Sequence, residues 1–202
     1  MEGSMVSLLT RCAFWAIIAG ALTLAGCGAP TPPPTFYQLE EVADVQLSGI
    51  DRGTVVGVGP INIPPYLDRP LVVTRATNHR LNLSEFNRWA EPLSASVSRV
   101  IAVHLSNMLE TTRVFSLPRS STVIPLEFRV EIDVARFDGT LGQSVILVAR
   151  WSLYDNNDEV ITTKVSIIEE AIGGDGYDAL ISAQNRTLEG LSREITTAIK
   201  ST

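Results

Sequence analysis

The chain has 202 residues, of which 45% are apolar, 6% aromatic and 19% charged. This apolar content is typical of a folded domain and excludes wholesale disorder. The 22 acidic residues outnumber the 16 basic ones, so the formal net charge is -6. A duplex-binding protein needs a basic patch, whereas the arginines here are spread singly along the chain, so nucleic acid is excluded as a partner. Two cysteines are too few for a disulfide framework.

The N-terminus carries the features of an export signal. Residues 13–25 form a continuous apolar run preceded by Arg11. The run is shorter than the roughly 20 residues of a transmembrane helix and fits the apolar core of a secretory signal peptide. It ends in Leu24-Ala25-Gly26-Cys27, which resembles the lipobox of bacterial lipoproteins. The alternative is an ordinary signal peptide with a chance cysteine.

The lipobox predicts the state of the mature chain. Residues 1–26 would be removed, and the Cys27 thiol would take up a diacylglyceryl group before its new amine is acylated. Two or three acyl chains anchor a protein stably, since each buried CH₂ contributes about 0.8 kcal/mol. No later segment reaches about 18 continuous apolar residues, so we expect no membrane span. Gly28 rather than an aspartate follows the cysteine, which favours the outer membrane among lipoproteins in general.

A proline-rich tether follows the anchor. Residues 27–35 contain four prolines, and such a stretch favours extended polyproline II. A disordered linker is the alternative, and either form holds the domain a short way from the membrane. Neither a second linker nor a repeat follows, so residues 36–202 are predicted to form one domain.

The first half of this domain is predicted to contain strands and then a helix. Residues 54–60 are rich in β-branched side chains, and residues 71–75 and 80–83 predict two strands around a turn at Asn78-His79. Ser84 is predicted to cap a helical stretch that breaks near Pro92. An amphipathic helix of about five turns follows, with its apolar stripe at Leu93, Val97, Val100, Ile101, His104, Leu105, Met108 and Leu109.

The second half predicts three long strands and a final helix. The strands are at 126–134, with a charged outer face, at 145–154, central in the sheet, and at 160–168, after a turn at Asp155–Asp158. A glycine-rich loop at 173–176 then starts a helix whose apolar stripe is Tyr177, Leu180, Ile181, Leu188, Leu191, Ile195 and Ile199.

These elements predict an α+β fold. Their order is β-β-β-α-β-β-β-α, and each of the two amphipathic helices has one apolar face to bury. A mixed or largely antiparallel sheet of about six strands, packed against both helices, satisfies this need in a single domain.

The sequence offers little for catalysis. A lipid-anchored hydrolase would need a nucleophile with a base, and the chain has only His79 and His104. His104 lies on an apolar helical stripe, which favours a place at the edge of the core, and His79 lies in a predicted turn. Gly57 and Gly59 lack the third glycine and the following helix of a dinucleotide-binding motif. With no phosphate-binding loop and no metal-ligand pattern, we expect neither an enzyme nor a cofactor other than the covalent lipid.

Two clusters are not explained by core packing. In the first, prolines stiffen the loop within residues 57–75, so that its side chains could anchor a partner at little entropic cost. Its candidate interface residues are Pro64, Pro65, Tyr66, Leu67, Asp68, Arg69 and Arg75. The alternative is that Asp68 and Arg69 only brace the loop. The second cluster is Arg88-Trp89-Ala90-Glu91-Pro92, where Trp89 favours a core position.

Both clusters also carry a resemblance to a known family. The strings VGPINIPPYLDRPLVVTR and RWAEPL, with FYQL after the tether and YDALISAQNRTLEGLSREI near the end, resemble the PqiC (YmbA) family of ABC-type transport auxiliary lipoproteins. The resemblance covers residues 36–199 in order. It implies that Arg88, Trp89, Glu91 and Pro92 are a family signature with a structural role.

The resemblance also implies a function. Such proteins are non-enzymatic lipoproteins of the outer membrane that face the periplasm and serve intermembrane transport of lipids or other hydrophobic molecules. The expected partner is an MCE-domain protein whose tunnel the lipoprotein would dock, in a system driven by an ABC ATPase and permease. A ring-like homo-oligomer would match a ring-shaped tunnel by symmetry. The alternative is a structural or pilot lipoprotein of another envelope assembly, such as a secretion system.

Overall fold

Eight strands and two helices make up residues 31–40, 53–118 and 125–202, which are the residues that the computed structural model describes. In chain order they are β1 (Thr35–Tyr37), β2 (Val56–Asn62), β3 (Leu71–Thr77), β4 (Arg80–Trp89), α1 (Leu93–Leu109), β5 (Val114–Ser116), β6 (Phe128–Gly139), β7 (Ser144–Tyr154), β8 (Val160–Ala171) and α2 (Gly176–Lys200). The predicted signal peptide and Cys27 lie outside the described residues. Pro34–Thr202 forms one unit.

The larger sheet has five strands in the order β5-β2-β6-β7-β8. Strand β2 runs parallel to β5 and β6, whereas β6, β7 and β8 are antiparallel neighbours. Alternation along β7 buries Val145, Leu147, Ala149, Trp151 and Leu153 on the inner face and leaves the other face half-buried. The sheet is therefore mixed, with one face available for the helices.

The smaller sheet has three strands in the order β1-β4-β3. Strands β3 and β4 form a hairpin around Asn78-His79, and β1 runs parallel to β4. Strand β3 contacts β6 of the larger sheet. The segment that joins the tether to the domain is thus part of this smaller sheet.

Both helices pack on the same core. Helix α1 contacts β2 and β5, helix α2 contacts β6, β7 and β8, and the helices contact each other. Their predicted stripes are confirmed: the α1 stripe is buried from Leu93 to Leu105, and the α2 stripe is buried except at Tyr177, which is half-buried. Burial of these apolar side chains is the main driving force for folding.

The predicted fold class is confirmed, with differences in detail. The described residues hold eight strands in two sheets, where the sequence predicted about six in one sheet. The three-residue strands β1 and β5 were missed because they are too short to show periodicity. Strand β7 is paired on both edges as expected, but β6 occupies the centre of its sheet.

The predicted helical stretch after Ser84 is wrong. Strand β4 continues to Trp89, and its pairing with β3 shifts register between Leu71 and Val73. The Ser84 Oγ does accept hydrogen bonds from the Asn87 backbone N–H at 3.1 Å and from its Nδ2 at 2.8 Å. A serine that binds the N–H three residues later is a helix-cap signal, but here the same local bond stabilises an irregularity in a strand.

The two glycines of β2 have packing roles. A Cβ at Gly57 would lie 2.6 Å from a methyl group of Leu126 and 2.8 Å from one of Leu117. Gly59 has a φ of 133°, which side chains rarely allow, where the β2–β6 register shifts. Gly57 is therefore explained by close packing against leucine side chains, and Gly59 by its backbone conformation, without a nucleotide-binding motif.

Candidate functional site

The two sequence clusters meet at one pocket. Residues 68–70 of the proline-rich loop and residues 89–92 at the end of β4 line a cavity of about 300 Å³. The backbone N–H of Trp89 donates to the Pro70 carbonyl at 2.8 Å, which joins the two segments. Pro70, Ala90 and Pro92 are exposed around the buried Trp89. The pocket can therefore receive an apolar group.

The proline-rich loop is a tight turn. The N–H groups of Leu67 and Asp68 both donate to the Pro64 carbonyl, at 2.9 and 3.1 Å. The Leu67 side chain is buried in the core, and Pro65 is exposed. Of the predicted interface residues, Leu67 therefore faces inward and Pro65 faces solvent.

Asp68 caps helix α1. The N-cap position is Pro92, whose ring has no hydrogen-bond acceptor. The Ser94 backbone N–H donates to Asp68 Oδ1 at 3.2 Å, and the Ser94 hydroxyl donates to Oδ2 at 3.1 Å. A carboxylate at a helix N-terminus satisfies a free N–H and interacts well with the helix dipole. Asp68 thus fixes the loop to α1.

Arg75 joins the two sheets through a buried carboxylate. Its Nε and one terminal nitrogen donate to the two oxygens of Asp138, each at 2.8 Å, and Arg136 Nε donates to Oδ1 at 3.0 Å. The side chain of Asp138 is 0% exposed. Burial raises its pKa, but the hydrogen bonds from Arg75 and Arg136 outweigh burial and hold the pKa below the usual aspartate range.

Tyr66 belongs to the same buried cluster. Burial and the nearby negative charge of Asp138 raise the pKa of its hydroxyl. The loop is therefore held from both ends, by Tyr66 near Asp138 and by Asp68 on α1. The sequence analysis named Tyr66, Asp68 and Arg75 as candidates but missed Asp138. The available signal was an acidic residue near the end of β6, a strand with alternating charged residues.

Arg69 is the residue of the loop with an unsatisfied group. One terminal nitrogen lies 3.4 Å from the Pro65 carbonyl oxygen, and the Nε is buried without a hydrogen-bond partner. A buried donor without an acceptor is unfavourable, so Arg69 is held less completely than Asp68 and Arg75, which are paired.

The second cluster frames the pocket from the other side. Trp89 is buried, in keeping with the core position that the sequence favours. Glu91 pairs with Arg99 of α1, and Arg88 Nε donates to the Glu85 carbonyl at 3.0 Å. The conformation of the cluster is therefore fixed by contacts on both sides of Trp89.

The two histidines lie apart from this pocket. His79 is exposed in the β3–β4 turn. His104 is buried between the helices, with Nδ1 3.5 Å from the Ser192 hydroxyl. Burial lowers the pKa of His104, against the opposing effect of Glu189 and a hydrogen bond with the Leu188 backbone. The Ser192 hydroxyl donates to the Leu188 carbonyl at 2.8 Å, as expected of a packed helix.

Metal-binding clusters and membrane-spanning helices are both absent from the described part of the chain. Within residues 31–40, 53–118 and 125–202, no group of three or more His, Cys, Asp or Glu side chains is arranged to hold a metal ion. Among the same residues, neither helix combines the length and the apolar character that crossing a membrane requires.

Solved structures share this fold. A crystal structure of an uncharacterised protein matches with a TM-score of 0.68 at 20% identity, over 83% of this chain and 99% of that one. A structure from Xanthomonas campestris matches with a TM-score of 0.64 at 15% identity, over 83% and 96%. The chain therefore has an α+β fold that is already seen in solved structures.

Sequence comparison defines the family. The model of the ABC-type transport auxiliary lipoprotein component matches residues 37–196. The chain therefore belongs to this family, and the resemblance carried by the two clusters is confirmed. The intermembrane transport lipoprotein PqiC of Escherichia coli K12 is 26% identical over 168 residues, which are 83% of this chain and 87% of that protein. PqiC of Shigella flexneri matches to the same extent.

Proposed function

We propose that this protein is a lipid-anchored, non-enzymatic auxiliary component of an intermembrane transport system. Its acylated Cys27 would hold it on the periplasmic face of the outer membrane, where it docks an MCE-domain tunnel protein. Membership of the transport auxiliary family supports the general role. The similarity to PqiC, an intermembrane transport lipoprotein, supports a role in transport between membranes.

The pocket of residues 68–70 and 89–92 is the docking surface in this proposal. The observation that carries it is that two motifs about twenty residues apart in sequence line one cavity. An apolar side chain of the partner would enter beside Trp89, and Arg69 would line its entry. Fixed pockets of this kind lose little entropy on binding.

The scaffold around the pocket makes this surface rigid. Tyr66 and Arg75 are committed to the cluster around Asp138, and Asp68 is committed to Ser94. We therefore propose that these residues position the surface, while Pro65, Arg69 and the exposed rim contact the partner. A ring of identical copies would present several such pockets to a ring-shaped tunnel.

Filling the pocket tests the proposal. Ala90 is exposed, and its backbone N–H donates to the Tyr37 carbonyl at 2.8 Å. The Ala90→Arg change adds bulk at the rim while leaving that bond intact. We expect the full-length lipoprotein to capture an MCE-domain protein from native membranes after gentle crosslinking, and the variant to lose it, as measured by mass spectrometry.

The matched control is Ala171→Arg, because Ala171 is an exposed alanine at the end of β8. It should retain capture, and thermal unfolding should show that both variants fold. If the Ala90→Arg variant still captured the MCE-domain protein, the docking surface would have to lie outside this pocket. Absence of any MCE-domain protein from the wild-type sample would contradict the tunnel-docking role itself.

A further inference from the structure

Two phenylalanines are exposed beside the point where the tether enters the domain. Phe36 is 61% exposed and Phe86 is 40% exposed. Phe36 lies opposite Arg88 in the β1–β4 pairing. Phe86 precedes Arg88 by two residues on β4, so both phenylalanines lie at the same end of the β1–β4 pair. We call this surface, formed by Phe36, Phe86 and Arg88, the aromatic face.

An acylated Cys27 would keep the aromatic face within reach of lipid. Thr35, the first residue of β1, comes eight positions after Cys27, and a chain extends by at most about 3.6 Å per residue. Thr35 therefore lies within about 29 Å of an acylated Cys27. A short tether gives the adjoining surface a high effective concentration at the membrane.

We propose that the aromatic face is a membrane-contact surface that inserts Phe36 and Phe86 among phospholipid headgroups. The proposal rests on the lipid anchor of the proposed function but not on the docking of a tunnel protein. Exposed apolar side chains bury part of their surface when a protein lies in the headgroup region. The acyl chains and the aromatic face would then act as two signals for one membrane.

The charges around this face favour apolar insertion over electrostatic attraction. Arg88 Nε donates to the Glu85 carbonyl, and the exposed Glu85 side chain places an opposite charge on the same strand. The net charge of the whole chain is -6, which does not attract anionic lipid. The contact should therefore change little with ionic strength.

Such a contact would also orient the pocket. Strand β4 passes from Phe86 through Arg88 to Trp89, and Ala90 follows at the pocket. If the domain contacts the membrane through its aromatic face, the pocket lies close to the membrane surface, because Ala90 follows Phe86 by only a few residues along the chain. This arrangement fits a protein that meets its partner next to the bilayer.

Strand β8 provides a matched control surface. Val165 and Ile167 are exposed on the edge strand of the larger sheet, and Ile167 is 73% exposed. Val165 is 58% exposed, so the two side chains together are more exposed than Phe36 and Phe86, and they belong to the other sheet. Membrane contact driven by exposure alone would involve Ile167 as much as Phe36.

Fluorescence quenching tests the proposal on the full-length acylated protein. Single changes Phe36→Trp, Phe86→Trp and Ile167→Trp would be compared in phosphatidylethanolamine–phosphatidylglycerol vesicles. We expect phospholipids with brominated acyl chains to quench the first two variants and acrylamide to quench them poorly, with the reverse for Ile167→Trp. Trp89 and Trp151 are buried and contribute the same background to all three.

Several results would overturn the proposal. Equal quenching of all three variants by brominated lipid would mean no preferred face. Protection of positions 36 and 86 from acrylamide without quenching by brominated lipid would show that a protein surface, such as a second copy, covers them. An intact mass without acyl chains would overturn the anchor and this contact together. Because the vesicles hold no tunnel protein, none of these results bears on docking.

Discussion

At the scale of single residues, Asp138 determines how the proline-rich loop is held. A buried carboxylate is tolerated only when its charge is paired and its oxygens accept hydrogen bonds. Arg75 of β3 and Arg136 of β6 both pair with Asp138. Because Asp138 lies on β6, its ion pair with Arg75 links the two sheets. Arg75, which the sequence analysis named as a candidate interface residue, is therefore bound within the scaffold.

The Asp138→Asn change tests this role. It would leave two partly buried guanidinium groups without their carboxylate, and removal of one partner from a buried pair costs about 3 kcal/mol or more. We expect a loss of that size in the free energy of unfolding at pH 7, measured with urea. Because the folded-state pKa of Asp138 is lowered, its stabilisation is present above the unfolded value of about 3.9 and is lost as pH falls through the folded value. The difference in the free energy of unfolding between wild type and the Asp138→Asn variant should therefore decrease below about pH 4.

The Asp133→Asn change provides the control for this measurement. Asp133 lies on the same strand but is exposed, and its Oδ1 accepts from Asn62 Nδ2 at 2.6 Å. We expect a loss below about 1 kcal/mol. Equal losses at positions 133 and 138, or a gap that does not change with pH, would contradict the proposed role of the buried pair.

At the scale of elements, the start of helix α1 is supported from another segment. Local sequence supplies Pro92 at the N-cap, and Asp68, from a loop 26 residues before Ser94, accepts from its N–H and hydroxyl. The helix itself was predictable from its apolar stripe. Its cap was not, because the acceptor is distant in sequence.

Substitution of Asp68 distinguishes a cap from a docking contact. Asp68→Ala removes both acceptors and should lower the free energy of unfolding by about 1 kcal/mol. Asp68→Asn keeps one acceptor, so it should retain most of that stability. Urea unfolding measures both variants.

Capture of the partner by the same two variants completes this test. A folded Asp68→Ala protein that is as stable as wild type but fails to bind would show that Asp68 contacts the partner directly. Loss of stability with binding retained at low temperature is the result expected of a cap.

At the scale of the whole molecule, two sheets and two helices share one hydrophobic core. Residues from the smaller sheet, such as Val72 and Trp89, belong to the same buried cluster as Trp151 of β7 and Leu188 of α2. Since the three-stranded sheet has little core of its own, its stability depends on the rest of the domain.

A shared core predicts a single cooperative unfolding transition. In a Trp151→Phe variant of the mature chain, the fluorescence of Trp89 reports the smaller sheet, and far-ultraviolet circular dichroism reports the whole domain. We expect the two probes to give coincident urea midpoints, as in other small domains. A lower midpoint for Trp89 would show that the smaller sheet unfolds by itself. The Trp89→Phe variant, which reports β7, provides the reciprocal check.

The candidate site was only partly predictable from sequence. Proline density marked the loop around Tyr66, and the string from Arg88 to Pro92 marked the second segment, because unusual composition is visible locally. That both segments line one pocket depends on the Trp89–Pro70 hydrogen bond, which no local pattern encodes. Likewise, Ser84 carries a genuine cap-like bond, but strand pairing with β3 decided its conformation.

The sequence by itself determined the fold class, the helical stripes, the long strands and the family, since periodicity and motifs are local properties of the chain. Tertiary structure alone decided the division into two sheets and the pairing of β1 with β4. It also decided which loop charges are bound internally, through contacts from Arg75 to Asp138 and from Asp68 to Ser94. Such contacts join residues far apart in sequence, and their energy depends on burial, which exists only in the folded chain.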